Sequence, residues 1–341
     1  MFRSKPGIRR LLAACFAVLL GLSACSKPVS QVQEVDSGTA QRDQATQTTK
    51  EAPGSRKGSA GVTLVSMADP FMVDLKDAMK QAGRAQGLEL AWMDPHDAVA
   101  DELAMIEDLI DRPVEVILMA PVDESASQEA AEKVHAAGIP LVLVNTRFEE
   151  GYEADWASFV GPDDVAVGEL QANHVNDELE PAARVLLLTG EHERSSTDRR
   201  TQGFFDAIGE GVEVEEREAL GSRERAKVLT QELLEANPEP GTFSGIVAQN
   251  DEMAIGASEA LAEAGRQTEF KVIMGVDGLA NGLEAIAEGT ITATVFQDVV
   301  QQADEAVKTG VGMITDGTVE SEVIVPVQLV TDENLEEFLP R

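Results

Sequence analysis

The chain has 341 residues, of which 61 are acidic and 27 basic, and its formal net charge at pH 7 is −34. A chain of this length, with 43% hydrophobic residues, can bury the cores of two lobes. The negative charge excludes electrostatic attraction to nucleic acid or to an anionic lipid surface, because both would repel the protein.

The N-terminus has the pattern of an export signal. Four basic residues precede the apolar run LLAACFAVLLGL, which is too short to span a bilayer as a permanent helix. The residues LSAC that follow resemble the lipobox of bacterial lipoproteins, in which the cysteine is lipidated and becomes the new N-terminus. An ordinary signal peptide that contains a cysteine is the alternative. We predict a signal peptide over residues 1–24, lipidation of Cys25, and a mature protein that faces the periplasm or the cell exterior.

The segment after Cys25 has the composition of a disordered tether. Residues 26–60 are rich in Ser, Thr, Gln, Lys and Asp and show no apolar period, so they cannot bury enough surface to fold. A flexible coil of about 35 residues spans roughly 30–35 Å. We therefore expect residues 25–60 to link the membrane to the folded domain. The mature chain would form no internal disulfide, since the other cysteine, Cys15, lies in the signal.

From Gly61 onward, short β-branched runs alternate with amphipathic segments. Most of the runs are apolar on both faces, as parallel strands covered by helices on each side are. The segments between them carry apolar residues at helical spacing, as Val99, Leu103, Ile106 and Ile110 do. This alternation predicts an α/β fold with parallel sheets. The predicted strands are GVTLVS, LELAWM, VEVILMAP, PLVLVN, SFVG, RVLLLTG, VEVEERE, GIVAQN, KVIMGVDG, ITATVFQ and VIVPVQLV.

The number of strand–helix units favours two sheets over one. About five units precede SFVG and as many follow it, so we predict two similar doubly wound lobes. Ligands of such sheets bind beyond the carboxyl ends of the strands. Two lobes whose carboxyl ends face each other would therefore enclose a ligand cleft between them.

Polar and aromatic residues follow several of the predicted strands. Carboxylate, amide and guanidinium groups pair with the hydroxyls of a sugar or polyol, while its ring C–H bonds pack on an aromatic face. The recurrence of such residues at equivalent strand ends favours a binding site for a ligand of this kind. They are Ser66, Asp69, Phe71 and Met72, then Asn145, Thr146 and Arg147, then Asp198, Arg199 and Arg200, and finally Asn250, Asp277, Phe296 and Gln297.

Each of these residues also has a purely structural explanation. Asp69 and Asp251 could cap or charge-match helix N-termini, and for Asp251 we favour that role over ligand contact. Asp277, between two glycines, could be a turn residue. Phe71 could be a core residue. Phe296 could also belong to the core, Gln297 could cap a helix, and Arg147 could pair with Glu149 or Glu150.

The segments DPFM, QNDEMA, GVDG and VFQD, in this order, resemble those of periplasmic sugar-binding proteins of the ribose-binding type, the substrate receptors of ABC importers. The resemblance extends over nearly all of residues 61–331. It implies two α/β lobes that are joined by three hinge crossings and close on a sugar. The implied crossings lie near residues 160–163, 297–299 and 322–325, with an N-terminal lobe of residues 61–160 plus 298–323 and a C-terminal lobe of residues 161–297 plus 324–341.

The resemblance also implies particular ligand contacts, with Phe71 against the C–H face of the sugar. Two departures argue against ribose itself as the ligand. Gly221 and Ser222 stand where a second stacking aromatic is expected, and Ala120 stands where a polar residue is expected. The implied contacts are Asp69, Phe71, Met72, Asn145, Arg147, Asp198, Arg200, Asn250, Asp277 and Gln297.

Other protein classes fit the sequence less well. There is no nucleophile elbow, Walker loop or dinucleotide glycine fingerprint, so we predict no catalytic residues and no cofactor. His192 and its flanking acids could bind a metal, but a solvated loop is favoured and we predict no metal site. A transcription regulator of the lactose-repressor kind would need an N-terminal helix-turn-helix and a basic surface, which this chain lacks.

We therefore predict a monomeric, lipid-anchored receptor that captures a small sugar or polyol by hinge closure and delivers it to an ABC permease. A sensory receptor that presents a sugar or furanosyl signal to a chemoreceptor or a kinase stays open as an alternative, since nothing in one sequence separates transport from sensing.

Overall fold

A computed structural model of the protein describes residues 57–148, 156–192 and 194–339. The predicted signal peptide, the lipidation site at Cys25 and nearly all of the predicted tether lie outside these residues. None of the helices in the described ranges combines the length and apolar character needed to cross a bilayer.

Strands and helices alternate along most of the described chain, as the sequence predicts. The strands are β1 (Gly58–Thr63), β2 (Leu88–Met93), β3 (Val116–Met119), β4 (Leu141–Val144), β5 (Ser158–Gly161), β6 (Arg184–Thr189), β7 (Glu213–Glu218), β8 (Gly245–Ala248), β9 (Val272–Asp277), β10 (Ala293–Gln297), β11 (Glu322–Ile324) and β12 (Val327–Thr331). The helices are α1 (Pro70–Gln86), α2 (Val99–Ile110), α3 (Gln128–Ala136), α4 (Asp164–Glu178), α5 (Ser195–Ala207), α6 (Arg223–Ala236), α7 (Asp251–Ala264), α8 (Ala280–Ala287) and α9 (Val299–Thr315).

The strands form two six-stranded sheets, which confirms the predicted two-lobed α/β fold. The first sheet has the order β11-β5-β4-β3-β1-β2, and the second has the order β12-β10-β9-β8-β6-β7. The chain passes from one sheet to the other three times, after β5, after β10 and after β11. Helix α9, which follows the second passage, packs its apolar face on the first sheet. Consequently the first lobe is completed by residues far along the chain.

Each sheet is buried on both faces. In β6, Leu186 and Leu188 belong to one hydrophobic cluster, and Val185 and Leu187 belong to another on the opposite face. Successive side chains of a strand point to opposite faces, so a strand covered by helices on both sides must be apolar at every position. This explains why the strands read as continuous apolar runs. The edge strands β2, β7, β11 and β12 are less buried, and β7 carries four glutamates.

Two features of the sheets differ from the prediction. Strand β1 begins at Gly58, so the last residues of the predicted tether belong to the first sheet. The predicted strand VIVPVQLV is divided between β11 and β12, which lie in different sheets. Pro326 stands at the division because it has no N–H to donate to a ladder, and the chain leaves the first sheet there. Strand β12 is antiparallel to β10, so the second sheet is mixed rather than wholly parallel.

Candidate ligand-binding site

A cavity of about 510 Å³ lies where the carboxyl ends of strands from both sheets meet. Its size is typical of sites for small organic ligands. The residues that follow β1 and β4 line one side, and those that follow β6, β8, β9 and β10 line the other. Eight of the ten predicted ligand contacts line this cavity: Asp69, Phe71, Met72, Asn145, Arg200, Asn250, Asp277 and Gln297.

Asp69 both caps α1 and faces the cavity. Its Oδ1 accepts a hydrogen bond from the Met72 N–H at 3.0 Å, and Pro70 occupies the start of the helix. The structural and the ligand-binding interpretations of Asp69 are therefore compatible. The next two side chains, Phe71 and Met72, are almost fully buried in the core of the first lobe and present one apolar surface to the cavity.

Asn145 follows β4 in a backbone conformation that few side chains adopt. Its φ is 64°, in the left-handed region that asparagine tolerates better than most residues. The side-chain Nδ2 donates to Gln302 Oε1 on α9 at 3.0 Å, and the backbone N–H donates to the Val160 carbonyl at 2.8 Å. These bonds fix the buried Asn145 side chain at the wall of the cavity.

Asn250 and Asp251, the adjacent polar residues of VAQNDEM, have different structural roles. Asn250 caps α7, because its Oδ1 accepts from the Met253 N–H at 2.8 Å, and its Nδ2 donates to the Gly221 carbonyl at 3.1 Å. Asp251 lies in the first turn of α7, as a residue that charge-matches the helix N-terminus does, but its side chain does not cap the helix. Its buried carboxylate accepts hydrogen bonds from the Gly278 N–H at 2.9 Å and from Thr294 Oγ1 at 2.6 Å, and so holds the turn after β9.

Asp277 and Gln297, at the ends of neighbouring strands, form a hydrogen-bonded pair. Gln297 Nε2 donates to Asp277 Oδ1 at 3.0 Å, whereas Gln297 Oε1 is buried with no hydrogen-bond partner among the described residues. The backbone of Asp277 has a φ of 120°, which is strained for a residue other than glycine. Strain of this kind persists where the surrounding structure imposes it, and it concentrates at functional sites.

The electrostatic environment of the cavity disfavours further negative charge. Burial raises the pKa of Asp277 well above its usual value, and the nearby Asp251 and Asp69 raise it further, while Arg200 and the Gln297 hydrogen bond lower it. Burial also raises the pKa of Asp251 to about 7. The pKa of Asp69 is raised by burial, against the opposing effect of its hydrogen bonds with backbone N–H groups and of Arg194.

Arg200, on α5, lines the cavity, but its guanidinium group already donates hydrogen bonds to other groups of the protein. Its Nε donates to Asp164 Oδ1 at 2.8 Å, and Nη1 donates to the Gln249 carbonyl at 2.7 Å. Arg200 and Asp164 are both buried, so the two charges neutralise each other within the protein.

Two predicted ligand contacts do not line the cavity. Arg147 forms an ion pair with Glu322 at 2.6 Å, and its guanidinium carbon lies 3.8 Å from the centre of the Phe159 ring. Asp198 lies 3.1 Å from His192 Nδ1, and this contact raises the pKa of the histidine. We do not retain either residue as a ligand contact, since each is held by partners outside the cavity.

Several residues that line the cavity are absent from the predicted contacts. Arg194 forms an ion pair with Asp97 at 2.6 Å that connects the second lobe to the first, and a second one with Glu191 at 3.1 Å. Gln249 accepts from the Gly190 N–H at 3.0 Å and is buried beside Asn250. Its position at a strand end could have identified Gln249, but no sequence signal indicates the pair between Arg194 and Asp97.

His192 has two acidic neighbours in the fold, Asp198 and Glu216, and neither belongs to the loop sequence GEHE. Its Nδ1 faces Asp198 and its Nε2 lies 3.2 Å from Glu216. Within the described ranges, no group of three or more His, Cys, Asp or Glu residues is arranged to hold a metal ion.

The family of the chain follows from its sequence and agrees with this geometry. A family model described as a periplasmic binding protein domain matches residues 60–318, which is most of the chain. The chain belongs to the periplasmic binding protein family. This periplasmic binding protein is therefore not an enzyme, as its sequence predicts.

Relatives of this periplasmic binding protein match it over most of their length. A putative rhizopine-binding protein of Rhizobium meliloti is 31% identical over 288 residues, which are 82% of this chain and 91% of the relative. A ribose import binding protein of Bacillus subtilis is 29% identical over 238 residues, 70% of this chain and 75% of the relative.

A solved structure has the same fold. It is that of an ABC transporter solute binding protein from Bacillus halodurans with bound myo-inositol, and it is 30% identical with a TM-score of 0.77. The match covers 84% of this chain and 99% of that chain, so it includes both lobes.

Proposed function

We propose that this periplasmic binding protein captures a small sugar or polyol between its lobes and delivers it to an ABC importer. The observation that carries the proposal is the composition of the cavity wall. Asp69, Asn250, Asp277 and Gln297 supply groups that pair with hydroxyls, and Phe71 supplies an apolar face. The rhizopine, ribose and myo-inositol relatives support a ligand of this class.

Capture works by closure of the lobes about the three chain crossings. A ligand that contacts residues of both lobes binds the closed form better than the open one, so it shifts the population toward closure. The N-terminal lobe comprises residues 61–160 plus 298–323, extended at its start by β1, and the C-terminal lobe comprises residues 161–297 plus 324–341. The distribution of strands between the two sheets supports this division, except that Gly161 and Ile324 are the last residues of strands of the first sheet.

The mature protein is exported and anchored to the membrane through a lipid on Cys25, with residues 26–57 as its tether. The LSAC motif and the apolar run before it support this part of the proposal. Mass spectrometry of the mature N-terminus tests it, and an unmodified Cys25 would contradict the anchor.

The ligand class can be tested by a thermal-shift screen of the mature chain against pentoses, hexoses, inositols and acyclic polyols. A ligand at about 100 times its Kd stabilises the native state by about 2.7 kcal/mol, so we expect the melting temperature to rise by several degrees. No shift with any member of the panel would contradict a sugar or polyol ligand.

The site is tested in the same assay with the variant Asp277→Ala. We expect the ligand-induced shift to disappear while the far-UV circular dichroism stays that of the folded protein, because Asp277 contacts the ligand. Asp74→Ala is the matched control, since Asp74 is exposed on α1 outside the cavity. An unchanged shift in the Asp277 variant would refute the assignment of this residue.

A further inference from the structure

The cavity wall carries more negative than positive groups. Among the described residues that line it, the carboxylates are Asp69, Asp97, Glu191 and Asp277, and the cations are Arg194 and Arg200. A site for a neutral ligand needs no such excess, because an uncompensated carboxylate in a closing cleft costs free energy.

Both arginines are occupied by partners other than Asp69 and Asp277. Arg194 pairs with Asp97 at 2.6 Å and with Glu191 at 3.1 Å. The charge of Arg200 is balanced by the buried Asp164, which lies behind the cavity wall. Asp69 and Asp277 are therefore the two carboxyl groups of the wall with no hydrogen-bonded cation among the described residues. The pKa of each is raised, so a cation beside them would favour their ionised forms.

Asp69 and Asp277 receive hydrogen bonds from neutral groups. A backbone N–H donates to Asp69, and the Gln297 carboxamide donates to Asp277. In the described part of the chain, neither carboxylate takes part in an ion pair. A positive charge from outside the protein would therefore find two carboxylates that no cation of the described residues already holds.

These two carboxylates belong to opposite lobes and act on each other. Asp69 follows β1 of the first sheet, and Asp277 ends β9 of the second. The charge of Asp69 contributes to the raised pKa of Asp277, after the larger effects of burial and Asp251. Closure on a ligand without charge would favour protonation of one of these two groups, whereas a cation between them would favour the ionised form of both and attract each of them.

A third acceptor lies beside this pair. Gln297 is 2% exposed, and its Oε1 has no donor among the described residues. A hydroxyl can donate one hydrogen bond, but an ammonium group donates three and accepts none. The set of Asp69, Asp277 and Gln297 Oε1 matches the donors and the charge of an ammonium group.

We propose that the ligand of this cavity is a polyol that carries an ammonium group, an aminated sugar or cyclitol whose nitrogen binds between Asp69 and Asp277. The inference rests on the proposed function and adds to it the charge of the ligand. The remaining hydroxyls pair with the other polar groups of the wall, and the ring packs against Phe71.

The test compares matched ligands that differ in one group, by isothermal titration calorimetry at low salt and near-neutral pH. The pairs are D-glucose and D-glucosamine, myo-inositol and an aminodeoxyinositol, and glycerol and 2-amino-1,3-propanediol. In the pair that binds best, we expect the aminated member to bind at least about tenfold more tightly than its parent, since charge-assisted hydrogen bonds are stronger than those of a neutral hydroxyl.

The variants Asp69→Asn and Asp277→Asn should each remove most of this preference. Asparagine caps helices as well as aspartate does, so Asp69→Asn keeps α1 intact. The readout is the ratio of the two affinities in each variant, which a general weakening of the site does not change. Asp74→Asn, on the exposed face of the same helix, should keep the preference of the unmodified protein.

The outcomes separate this inference from the proposed function. Equal or tighter binding of the neutral members would overturn the inference and leave a sugar or polyol ligand supported. A preference for the aminated members that survives both Asn variants would overturn the assignment of these two carboxylates. Failure of both members of every pair to bind the folded protein would count against the inference and the proposed function alike.

Discussion

Asp251 acts at the site through another residue. Its carboxylate accepts hydrogen bonds from the Gly278 N–H and from Thr294 Oγ1, and Gly278 directly follows the strained Asp277. Gly282 on α8 approaches the same carboxylate so closely that a Cβ there would overlap it. Asp251 therefore positions the turn that presents Asp277 to the cavity.

This buried carboxylate should make stability depend on pH. Burial raises the pKa of Asp251 from 3.8 to about 7, so the native state binds a proton more tightly than the unfolded state. Its contribution to the free energy of unfolding is therefore greatest below the unfolded pKa, falls as pH rises from about 4 to about 7, and is constant above. In Asp251→Asn we expect this part of the fall in the free energy of unfolding, which is on the order of a few kcal/mol, to be absent.

Urea unfolding at several pH values measures this difference. The variant should show a flatter pH profile than the unmodified protein between pH 4 and 7, whereas the exposed control Asp74→Asn should follow the unmodified protein. Identical profiles for Asp251→Asn and the unmodified protein would show that the carboxylate does not titrate in this range.

The site residues that sequence patterns could identify are those fixed by the end of a strand. Asn145, Asn250, Asp277 and Gln297 follow buried apolar runs, and parallel strands bring their ends to one edge. The pair between Asp97 and Arg194 could not be predicted in this way. It depends on two successive left-handed residues, His96 and Asp97, with φ of 53° and 62°, and on the approach of the other lobe.

The two rejected contacts are each one residue away from a residue that lines the cavity. Thr146 lines it rather than Arg147, and Thr197 rather than Asp198. On α5, Thr197 and Arg200 are three positions apart and share a face, whereas Asp198 is turned about 100° from Thr197. A pattern that locates a loop to within a residue therefore does not determine which side chain points inward.

Helices α4 and α5 are packed so closely that backbone meets backbone. A Cβ on Gly168 would overlap the Arg200 carbonyl, and a Cβ on Gly203 would overlap the Val165 carbonyl. This contact brings Asp164 on α4 and Arg200 on α5 together as a buried ion pair. The two glycines thus determine where Arg200 lies in the cavity wall.

We expect Gly203→Ala to destabilise the protein by about 1–3 kcal/mol, because the added methyl must separate the two helices. Ligand affinity should fall as well, since Arg200 moves with α5. Chemical unfolding and calorimetric titration measure the two effects. Gly312→Ala in α9 is the matched control, because its Cβ would meet only the Val319 Cγ1 atom, at 3.0 Å. Equal stability of the two variants would contradict the tight packing of α4 on α5.

Strands that are buried on both faces could be predicted from their apolar runs. The division between β11 and β12 could not, because both halves of VIVPVQLV are mainly apolar and hydrophobicity does not indicate which sheet a strand joins. Only Pro326 indicates that the ladder is interrupted there.

The ion pair between Asp97 and Arg194 connects the two lobes at the mouth of the cavity. Its side chains are 50% and 26% exposed, so the pair contributes about 0.2–1 kcal/mol. Because it joins the lobes only when they are close, it stabilises the closed form alone. We expect Asp97→Asn to speed ligand dissociation by up to about fivefold, with little effect on the free energy of unfolding.

Stopped-flow dissociation at low and high salt measures this effect, which salt should weaken by screening exposed charges. Asp316→Asn, at the exposed end of α9, is the control for a general change in net charge. Dissociation that is equally fast in the unmodified protein and in Asp97→Asn at low salt would show that the pair does not hold the lobes together.

The passage of the chain back to the first sheet has a consequence for the order of events during synthesis. Ala303, Ala306 and Val307 of α9 complete the hydrophobic core of the first lobe, and Val330 of β12 belongs to the core of the second. Neither core can be completed before the ribosome has translated almost the whole chain. Contacts between residues so distant in sequence also form slowly. The nascent protein therefore remains without a finished core for most of its synthesis, which is the state in which a polypeptide can still be threaded through an export channel.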